Sequence, residues 1–182
     1  MNPSEWIVRW SHLLAPGSTV LDVACGSGRH LQWFAQAGHV VLGLDRDVSG
    51  AQHLAGQVTL IQADLENGPW PLMTEGLPRK FDAVVVTNYL WRPLLPTLLA
   101  SVAPGGTLLY ETFAIGNAAY GRPSRADFLL QAGELWEACQ GLDIVAYENG
   151  MRDNPPRCVQ RIAAKRPPLY TSEVIPQIVH AL

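Results

Sequence analysis

The sequence lacks the features that mark several classes of protein. Its three cysteines, Cys25, Cys139 and Cys158, are far apart and form no CxxC pair, which argues against a disulfide framework and a cysteine zinc site. The five histidines are scattered, so no metal site is predicted. No apolar run approaches the ~18 residues of a membrane span. The first ten residues lack the apolar core of a signal peptide. We therefore expect a cytoplasmic protein with no membrane partner.

A strong charge of either sign is also missing. The 182 residues carry a formal net charge of −3, so nucleic acid is not expected as a partner. Hydrophobic residues make up 48% of the chain, and its length suits one globular domain with a sizeable core. We predict a single domain over 1–182, with a helical cap at 1–17, a core at 18–166 and a tail at 167–182. Nothing in the pattern specifies an oligomeric state.

Apolar runs alternate with helix-like segments along the core. Buried strands are predicted at 20–24, 40–45, 58–64, 81–88 and 106–113. Helices are predicted at 3–14 (covering one edge of the sheet), 29–37, 49–56 (capped by Ser49), 94–102, 125–131 (capped by Ser124), 133–140 and, in the tail, around 174–179. Two final strands, 142–148 and 158–166, read as a hairpin. This order predicts an α/β fold, with a mostly parallel sheet, helices on both faces and an antiparallel edge strand. Ligands of such sheets bind beyond the carboxyl ends of the strands.

The stretch VLDVACGSGRH, residues 20–30, joins the first strand to the first helix. It is not a P-loop, because Gly26 and Gly28 are too close together and no Lys-Ser/Thr pair follows. The dinucleotide fingerprint GxGxxG requires a third glycine where this chain has Leu31. That glycine normally allows close packing of helix on strand, so its absence counts against NAD or FAD.

Acidic residues end the next two predicted strands. Asp45 follows the glycines at a spacing near the ~20 residues expected for an acid that binds ribose hydroxyls. Asp64 follows the third strand, where a carboxylate can accept from an exocyclic amine while Ala63 and Leu65 flank the ring. Taken singly, each acid is equally typical of a helix cap or a loop. Together with the glycines they describe a site for a nucleoside that has no phosphate.

Five stretches, VLDVACGSGRH, LGLDRD, QADLE, FDAVVVTNYL and PGGTLLYETF, follow one another along the chain. In this order they resemble the motifs of class I S-adenosylmethionine-dependent methyltransferases, and they are similar to the small bacterial enzymes of the tellurite-resistance type. The resemblance covers residues 18–165. It implies a Rossmann-like seven-stranded sheet of order 3-2-1-4-5-7-6, with strand 7 antiparallel, and S-adenosyl-L-methionine as the cofactor.

The resemblance also implies roles for residues at the strand ends. The expected cofactor-binding residues are Asp22, Ala24, Gly26, Gly28, Asp45, Arg46, Ala63, Asp64, Leu65, Thr87, Asn88 and Tyr89. The family often has glycine where this chain has Ala24, and alanine fits there as long as φ is not positive. For Asp22 two roles stay open: contact with the ligand, or pinning the turn by accepting backbone N–H groups. His30 is expected to be structural.

Methyl transfer from a sulfonium is an in-line displacement, so the protein mainly aligns the nucleophile and excludes water. Strand four ends in TNYLW and lacks the [DN]PP[YFW] motif, which argues against DNA or glutamine N-methylation. Polar and aromatic side chains near strands four and five predict the acceptor wall: Trp91, Arg92, Thr112, Phe113, Asn117, Tyr120 and Arg122. The candidates for a catalytic group are Tyr89, Arg92 and Glu111.

These features predict a methyltransferase that acts on a small molecule. An RNA or protein acceptor is the alternative suggested by the basic hairpin, which carries Arg152, Arg157, Arg161, Lys165 and Arg166. We expect these side chains to form a solvated edge instead. A non-catalytic protein that binds S-adenosylmethionine is a further alternative, because no obvious base is present.

Overall fold

The computed structural model of the chain describes residues 2–169. The helix predicted around 174–179 lies outside these residues, as does most of the predicted tail. The described residues form a seven-stranded sheet with helices and short turns on its two faces.

The seven strands include all those that the sequence predicts. They are β1 (Thr19–Val23), β2 (Val40–Asp45), β3 (Thr59–Gln62), β4 (Phe81–Thr87), β5 (Val102–Phe113), β6 (Asp143–Asp153) and β7 (Pro156–Lys165). Their order in the sheet is β3-β2-β1-β4-β5-β7-β6. The first five strands are parallel, and β7 runs antiparallel to both β5 and β6. The predicted sheet order and the antiparallel strand 7 are therefore confirmed.

Within residues 2–169, four α-helices and five 3₁₀ turns precede or connect the strands. The helices are α1 (Glu5–Trp10), α2 (Arg29–Gln36), α3 (Leu95–Ser101) and α4 (Glu134–Ala138). The 3₁₀ turns are Ser11–Leu13, Ser49–Leu54, Arg92–Leu94, Asn117–Ala119 and Ala126–Phe128. Between β3 and β4 the chain forms a small hairpin from Met73–Thr74 and Leu77–Pro78.

Two predicted helices are 3₁₀ turns. The segment predicted as a helix over 49–56 is the turn Ser49–Leu54, and the Ser49 side chain caps nothing there. It packs against the glycine loop so closely that a Cβ on Gly50 would lie 3.3 Å from the Cα of Ser27, and the narrower 3₁₀ coil suits that approach. The first helix predicted in 125–131 is only Ala126–Phe128, and it follows Arg125 rather than a Ser124 cap.

The core has two halves, one on each face of the sheet. Successive strand residues alternate between them, so that Val20 packs with α1 and α2 while Leu21 packs with α3 and α4. Several strands, including Val84–Val86 in β4, are buried on both faces, as expected of a covered parallel sheet. The prediction of helices on both faces is confirmed.

Helix α1 lies on a face of the sheet and does not cover an edge as predicted. Trp6 is 1% exposed, and its Nε1 donates to the Ile162 carbonyl at 3.2 Å. The Arg161 guanidinium stacks 4.8 Å from the centre of the Trp6 ring. Burial of a tryptophan at this place holds the N-terminal segment near the carboxyl ends of β4 and β5, where ligands of such sheets bind.

Candidate functional site

The loop after β1 is built for close backbone contacts. The Gly26 backbone N–H donates to Asp45 Oδ2 at 2.8 Å, which ties this loop to the end of β2. Gly28 precedes α2 with a φ of +76°, and a Cβ there would lie 2.8 Å from Leu54 Cδ1. Only glycine combines that φ with that lack of space. The glycine pattern therefore reflects the packing of this loop as well as room for a ligand.

Ala24 begins the same loop in the left-handed region. Its φ is +56°, so the condition under which alanine fits at this position, a φ that is not positive, is not met. The methyl group of an L-residue crowds the following carbonyl there, which costs about 1–2 kcal/mol. Ala24 lines the cleft described below and is thus a strained residue at the site.

The two strand-end acids have loop contacts as well as exposure to the cleft. Asp45 accepts from Gly26 through Oδ2 and from the Asp47 backbone N–H through Oδ1, at 2.8 and 3.0 Å. Asp64 accepts from the Asn67 side chain at 2.9 Å and from the Glu66 backbone N–H at 3.0 Å. These bonds, the Asn67 contact foremost, hold the pKa of Asp64 below its ordinary value. Asp45 and Asp64 therefore both stabilise their loops, as acids in loops commonly do, in addition to facing the cleft.

A cleft of about 410 Å³ lies at the carboxyl ends of the strands. Its lining residues are Ala24, Asp45, Arg46, Ala63, Asp64, Leu65, Glu66, Asn67, Tyr89 and Phe128. Most of the residues predicted to bind the cofactor are thus brought together. Sequence reasoning missed Glu66, Asn67 and Phe128. The first two follow Asp64 in the same loop, whereas no sequence signal connects Phe128 to this site.

A smaller cavity of about 190 Å³ adjoins the cleft at the ends of β4 and β5. Its lining residues are Glu66, Asn88, Tyr89, Leu90, Thr112, Phe113, Pro123 and Phe128. Tyr89, Phe128 and Glu66 belong to both spaces, so they form the boundary between them. The Tyr89 hydroxyl is buried and has no hydrogen-bond partner among residues 2–169.

Four predicted cofactor residues, Asp22, Gly26, Gly28 and Thr87, line neither space. Asp22 is 1% exposed, and neither of its carboxylate oxygens has a hydrogen-bond partner in the described part of the chain. The backbone-pinning role considered for Asp22 is therefore not observed. The Nδ1 atom of His30 lies 3.9 Å from Asp22 Oδ2. Burial raises the pKa of Asp22 from 3.8 to about 8.

Two of the predicted catalytic candidates have structural contacts instead. Arg92 Nε and Nη2 donate to the Glu134 carboxylate at 2.6 and 2.9 Å, and its remaining contacts go to the Asp127 and Leu129 carbonyls. It therefore clamps the segment before α4 to the end of β4 and lines neither space. Glu111 is 1% exposed and accepts from Ser4 Oγ at 2.9 Å, so it too lies away from the cavity.

Only part of the predicted acceptor wall lines the smaller cavity. Thr112 and Phe113 do so. The others lie elsewhere: Trp91 packs on the core, Asn117 bonds Pro123 and Cys158 across its loop, Tyr120 is 48% exposed, and Arg122 is exposed. The sequence placed these residues near strand ends, but their side chains make contacts that spacing along the chain does not reveal.

The arginines of the C-terminal hairpin are engaged in ion pairs and carbonyl contacts. Arg161 pairs with Glu111 and Glu148, and its side chain is only 11% exposed. Arg152 pairs with Glu5, and Arg166 donates to the Val102 and Leu99 carbonyls. The prediction of a solvated basic edge is therefore wrong for these residues, because they hold α1 and α3 to the sheet. Their charge is largely neutralised within the fold.

Within residues 2–169 no group of three or more histidine, cysteine, aspartate or glutamate side chains is placed to hold a metal ion. No helix in the same part of the chain is long and apolar enough to cross a membrane.

The charges of the cleft fit a cationic nucleoside. Three carboxylates, from Asp45, Asp64 and Glu66, line it with one cation, Arg46. Asp22, whose oxygens have no hydrogen-bond partner among residues 2–169, lies two residues before Ala24 in the sequence and is not part of the lining. S-adenosylmethionine carries a sulfonium and an ammonium group, which such a surface attracts, whereas a pyrophosphate would be repelled. The residues present thus fit S-adenosylmethionine better than a dinucleotide.

Replacing Ala24 by glycine should stabilise the protein. Relief of the left-handed strain, about 1–2 kcal/mol, exceeds the added entropy of the unfolded chain, about 0.4–1 kcal/mol. We expect urea denaturation to show a higher free energy of unfolding for Ala24→Gly. The control Ala35→Gly, within α2, should lose about 1 kcal/mol. Equal losses in both variants would contradict strain at Ala24.

Replacing Asp22 by asparagine should change how stability depends on pH. Because the folded-state pKa is raised, the unfolded chain releases this proton first, and the wild type loses stability as pH rises from about 4 to about 8. The melting temperature of Asp22→Asn should exceed that of the wild type by a margin that widens across this range. Asp47→Asn is the control, and its effect on the pH dependence of stability should have the opposite sign. Hydrogen bonds from Ser49 lower the pKa of Asp47, so the wild type gains stability from this carboxylate as pH rises. A constant margin for Asp22→Asn would refute the raised pKa.

Comparisons with known proteins agree with this geometry. Residues 20–106 match the family described as "Methyltransferase domain". A relative named tRNA U34 carboxymethyltransferase, from Pseudoalteromonas translucida, is 33% identical over 126 residues, which cover 62% of this chain and 38% of that protein. Its namesake from Klebsiella pneumoniae is 31% identical over 125 residues, covering 62% and 37%. The match thus spans well under half the length of these curated relatives.

Solved structures share the fold at low sequence identity. TehB from Haemophilus influenzae has a TM-score of 0.71 and 16% identity over 90% of this chain and 62% of its own. A TehB-like protein from Corynebacterium glutamicum has a TM-score of 0.62 and 18% identity over 88% and 86%. The sheet order, the acid-lined cleft and the domain match over residues 20–106 make this chain similar to the class I S-adenosylmethionine-dependent methyltransferases, and its fold is that of the TehB type.

Proposed function

We propose that the chain transfers a methyl group from S-adenosylmethionine to a small molecule, with the cofactor in the larger cleft and the acceptor in the smaller cavity. One observation carries the proposal. The acid-lined cleft opens onto a second space at the ends of β4 and β5, and Tyr89, Phe128 and Glu66 line both. A methyl group passed between two ligands requires such a shared boundary.

Different residues of the site would bind the base, the ribose and the ammonium group of the cofactor. Ala63 and Leu65 offer apolar contact on either side of Asp64, which suits a flat base. Asp45, at the end of β2, suits ribose hydroxyls, and Asp22 suits a buried ammonium group. The bound cofactor supplies a methyl group on a sulfonium, an already activated leaving group. The remaining work of the protein is to orient the acceptor and to keep water out.

Tyr89 serves this proposal as a wall and a hydrogen-bond donor, not as a base. Burial raises the pKa of its phenol well above the ordinary value, and the nearby carboxylates of Glu66 and Asp64 add to the shift. The phenol therefore stays neutral at physiological pH. Glu66 is the other titratable group on the smaller cavity within the described residues. Where the acceptor must lose a proton, Glu66 is the group placed to receive it.

The size and charge of the acceptor space favour a small molecule. A cavity of about 190 Å³ accommodates a compact ligand, and Phe113, Phe128 and Leu90 give it an apolar surface. Glu66 makes its charge negative, which favours a neutral or cationic acceptor over an anionic one. The basic hairpin, which suggested RNA, offers few free charges because its arginines are paired.

A tRNA acceptor is the second candidate, and the names of the curated relatives favour it. A carboxymethyl group carries a carboxylate next to the carbon that is transferred. In the smaller cavity that carboxylate would face Glu66 with no cation among the lining residues. Transfer of a plain methyl group therefore suits this site better than transfer of a carboxymethyl group.

Calorimetry tests the cofactor part of the proposal. The protein should bind S-adenosylmethionine and S-adenosylhomocysteine and should not bind NAD. Asp45→Ala should weaken binding at least about tenfold, since it removes charge-assisted hydrogen bonds. Asp47→Ala, two residues further on, lies outside the cleft and should keep the affinity within about twofold. Equal affinity in the wild type and Asp45→Ala would reject this cofactor site.

Transfer of labelled methyl tests the acceptor. The protein is incubated with methyl-labelled S-adenosylmethionine and, separately, with a metabolite extract, total tRNA and total protein from cells. We expect label in the metabolite extract, and less of it with Phe113→Ala, which enlarges the acceptor cavity. Label confined to tRNA would reject the small-molecule acceptor and support the second candidate. Absence of label from every fraction, with binding intact, would reject methyl transfer by this protein.

A further inference from the structure

A buried polar cluster connects the N-terminal segment to the carboxyl ends of the central strands. Its five side chains are Ser4, Asp22, His30, Thr87 and Glu111, and each is at most 8% exposed. They come from the segment before α1, from β1, α2, β4 and β5. Polar groups buried this deeply are usually paired, yet the Asp22 carboxylate accepts no hydrogen bond from the described residues. The contacts around it decide what it can do.

The hydrogen bonds of His30 fix its tautomer. The Ser4 backbone N–H donates to His30 Nε2 at 3.1 Å, so Nε2 is an acceptor and carries no hydrogen. Burial lowers the pKa of His30 to about 3, so the ring is neutral. The single ring hydrogen therefore lies on Nδ1. Nδ1 faces Thr87 Oγ1 at 3.5 Å and Asp22 Oδ2 at 3.9 Å.

Ser4 is itself held in place by two further contacts. Its hydroxyl donates to Glu111 Oε1 at 2.9 Å and accepts from the Trp6 backbone N–H at 3.2 Å, which caps α1. Arg161 holds Glu111 from the other side, 3.4 Å away. The Ser4 amide is thus fixed by α1 and β5 together, and it points at the imidazole with little freedom to choose another partner.

We propose that His30 is a positioning residue for the Asp22 carboxylate, and that the Ser4 amide makes it one by forcing the hydrogen onto Nδ1. With the opposite tautomer, a lone pair would face the carboxylate and repel it. Burial alone favours the protonated acid, and a cationic group of the ligand would favour the ionised carboxylate. With the observed tautomer, the N–H dipole of His30 adds to that stabilisation, and the carboxylate lone pairs stay free for the ligand. This inference rests on the proposed function, since it takes Asp22 to be part of the cofactor site.

The consequence is that the N-terminal segment belongs to the binding site without touching the ligand. Ser4 acts through the imidazole of His30, which its amide reaches at 3.1 Å and which lies 3.9 Å from Asp22. A purely structural role for the same contacts would lower stability when they are removed, but it would leave the affinity of the folded protein unchanged.

The backbone of Ser4 allows its amide hydrogen to be removed almost alone. Its φ is −61°, close to the value that proline imposes. Ser4→Ala removes the hydroxyl and keeps the N–H. Ser4→Pro removes both, so the difference between the two variants reports the N–H.

The test reads the His30 tautomer by ¹⁵N–¹H correlation of the imidazole and, separately, the affinity for S-adenosylmethionine by calorimetry. The wild type and Ser4→Ala should show the Nδ1–H form in the ligand-free protein, and Ser4→Pro should shift toward Nε2–H. Ser4→Pro should bind about three- to tenfold more weakly than Ser4→Ala, the value of one hydrogen bond. An Nε2–H ring in the wild type, or equal affinities despite a shifted tautomer, would overturn the proposal.

Two substitutions at His30 test the same idea if Ser4→Pro does not fold. Asparagine places an amide nitrogen near the position of Nδ1, whereas glutamine reaches the position of Nε2. His30→Asn should therefore retain affinity within about threefold, and His30→Gln should lose more. The reverse order would overturn the proposal. If the wild type binds no S-adenosylmethionine, the proposed function fails, while the tautomer spectrum still shows whether Ser4 sets the ring.

Discussion

The buried carboxyl group of Asp22, near the end of β1, is the constraint around which the site is arranged. Asp22 is buried on a strand whose neighbours on both sides are apolar, and no described group satisfies its oxygens. A buried polar group without a partner is destabilising. Such a group persists where the surrounding structure is stable enough to hold it and where a ligand completes it. The two-faced core and the tight glycine loop provide that stability.

The sequence predicted the fold well because its main signals are local. Strand β4 is a run of valines, and β2 ends at Asp45, as its pattern indicates. The acids at the strand ends also meet as predicted, since parallel strands bring their carboxyl ends to one edge. Predictions failed where long-range contacts decide. Arg92 pairs with Glu134, 42 residues away, and Glu111 accepts a hydrogen bond from Ser4, 107 residues away. Phe128 reaches the cleft from a loop without any repeating pattern.

The larger cleft and the smaller cavity differ in size and share an acidic lining residue. Glu66 lines both, and together with Asp45 and Asp64 it makes the whole site negative. That charge attracts a sulfonium and keeps anionic groups away. Arg152 and Arg161, which would reverse it, are paired with carboxylates, and Arg166 donates to backbone carbonyls. The protein therefore concentrates positive charge where it stabilises the hairpin and leaves the ligand face acidic.

The clamp between Arg92 and Glu134 gives one segment of the chain a direct influence on the shape of the acceptor space. It fixes the segment that carries Phe128, so the outer wall of the acceptor space is set by a contact remote from the cofactor loop. Substitutions in that segment would reshape what is accepted while the acids and glycines stay untouched. A lineage of such proteins would then diversify its acceptors by substitutions in one clamped segment, with the acids and glycines of the cofactor cleft inherited unchanged.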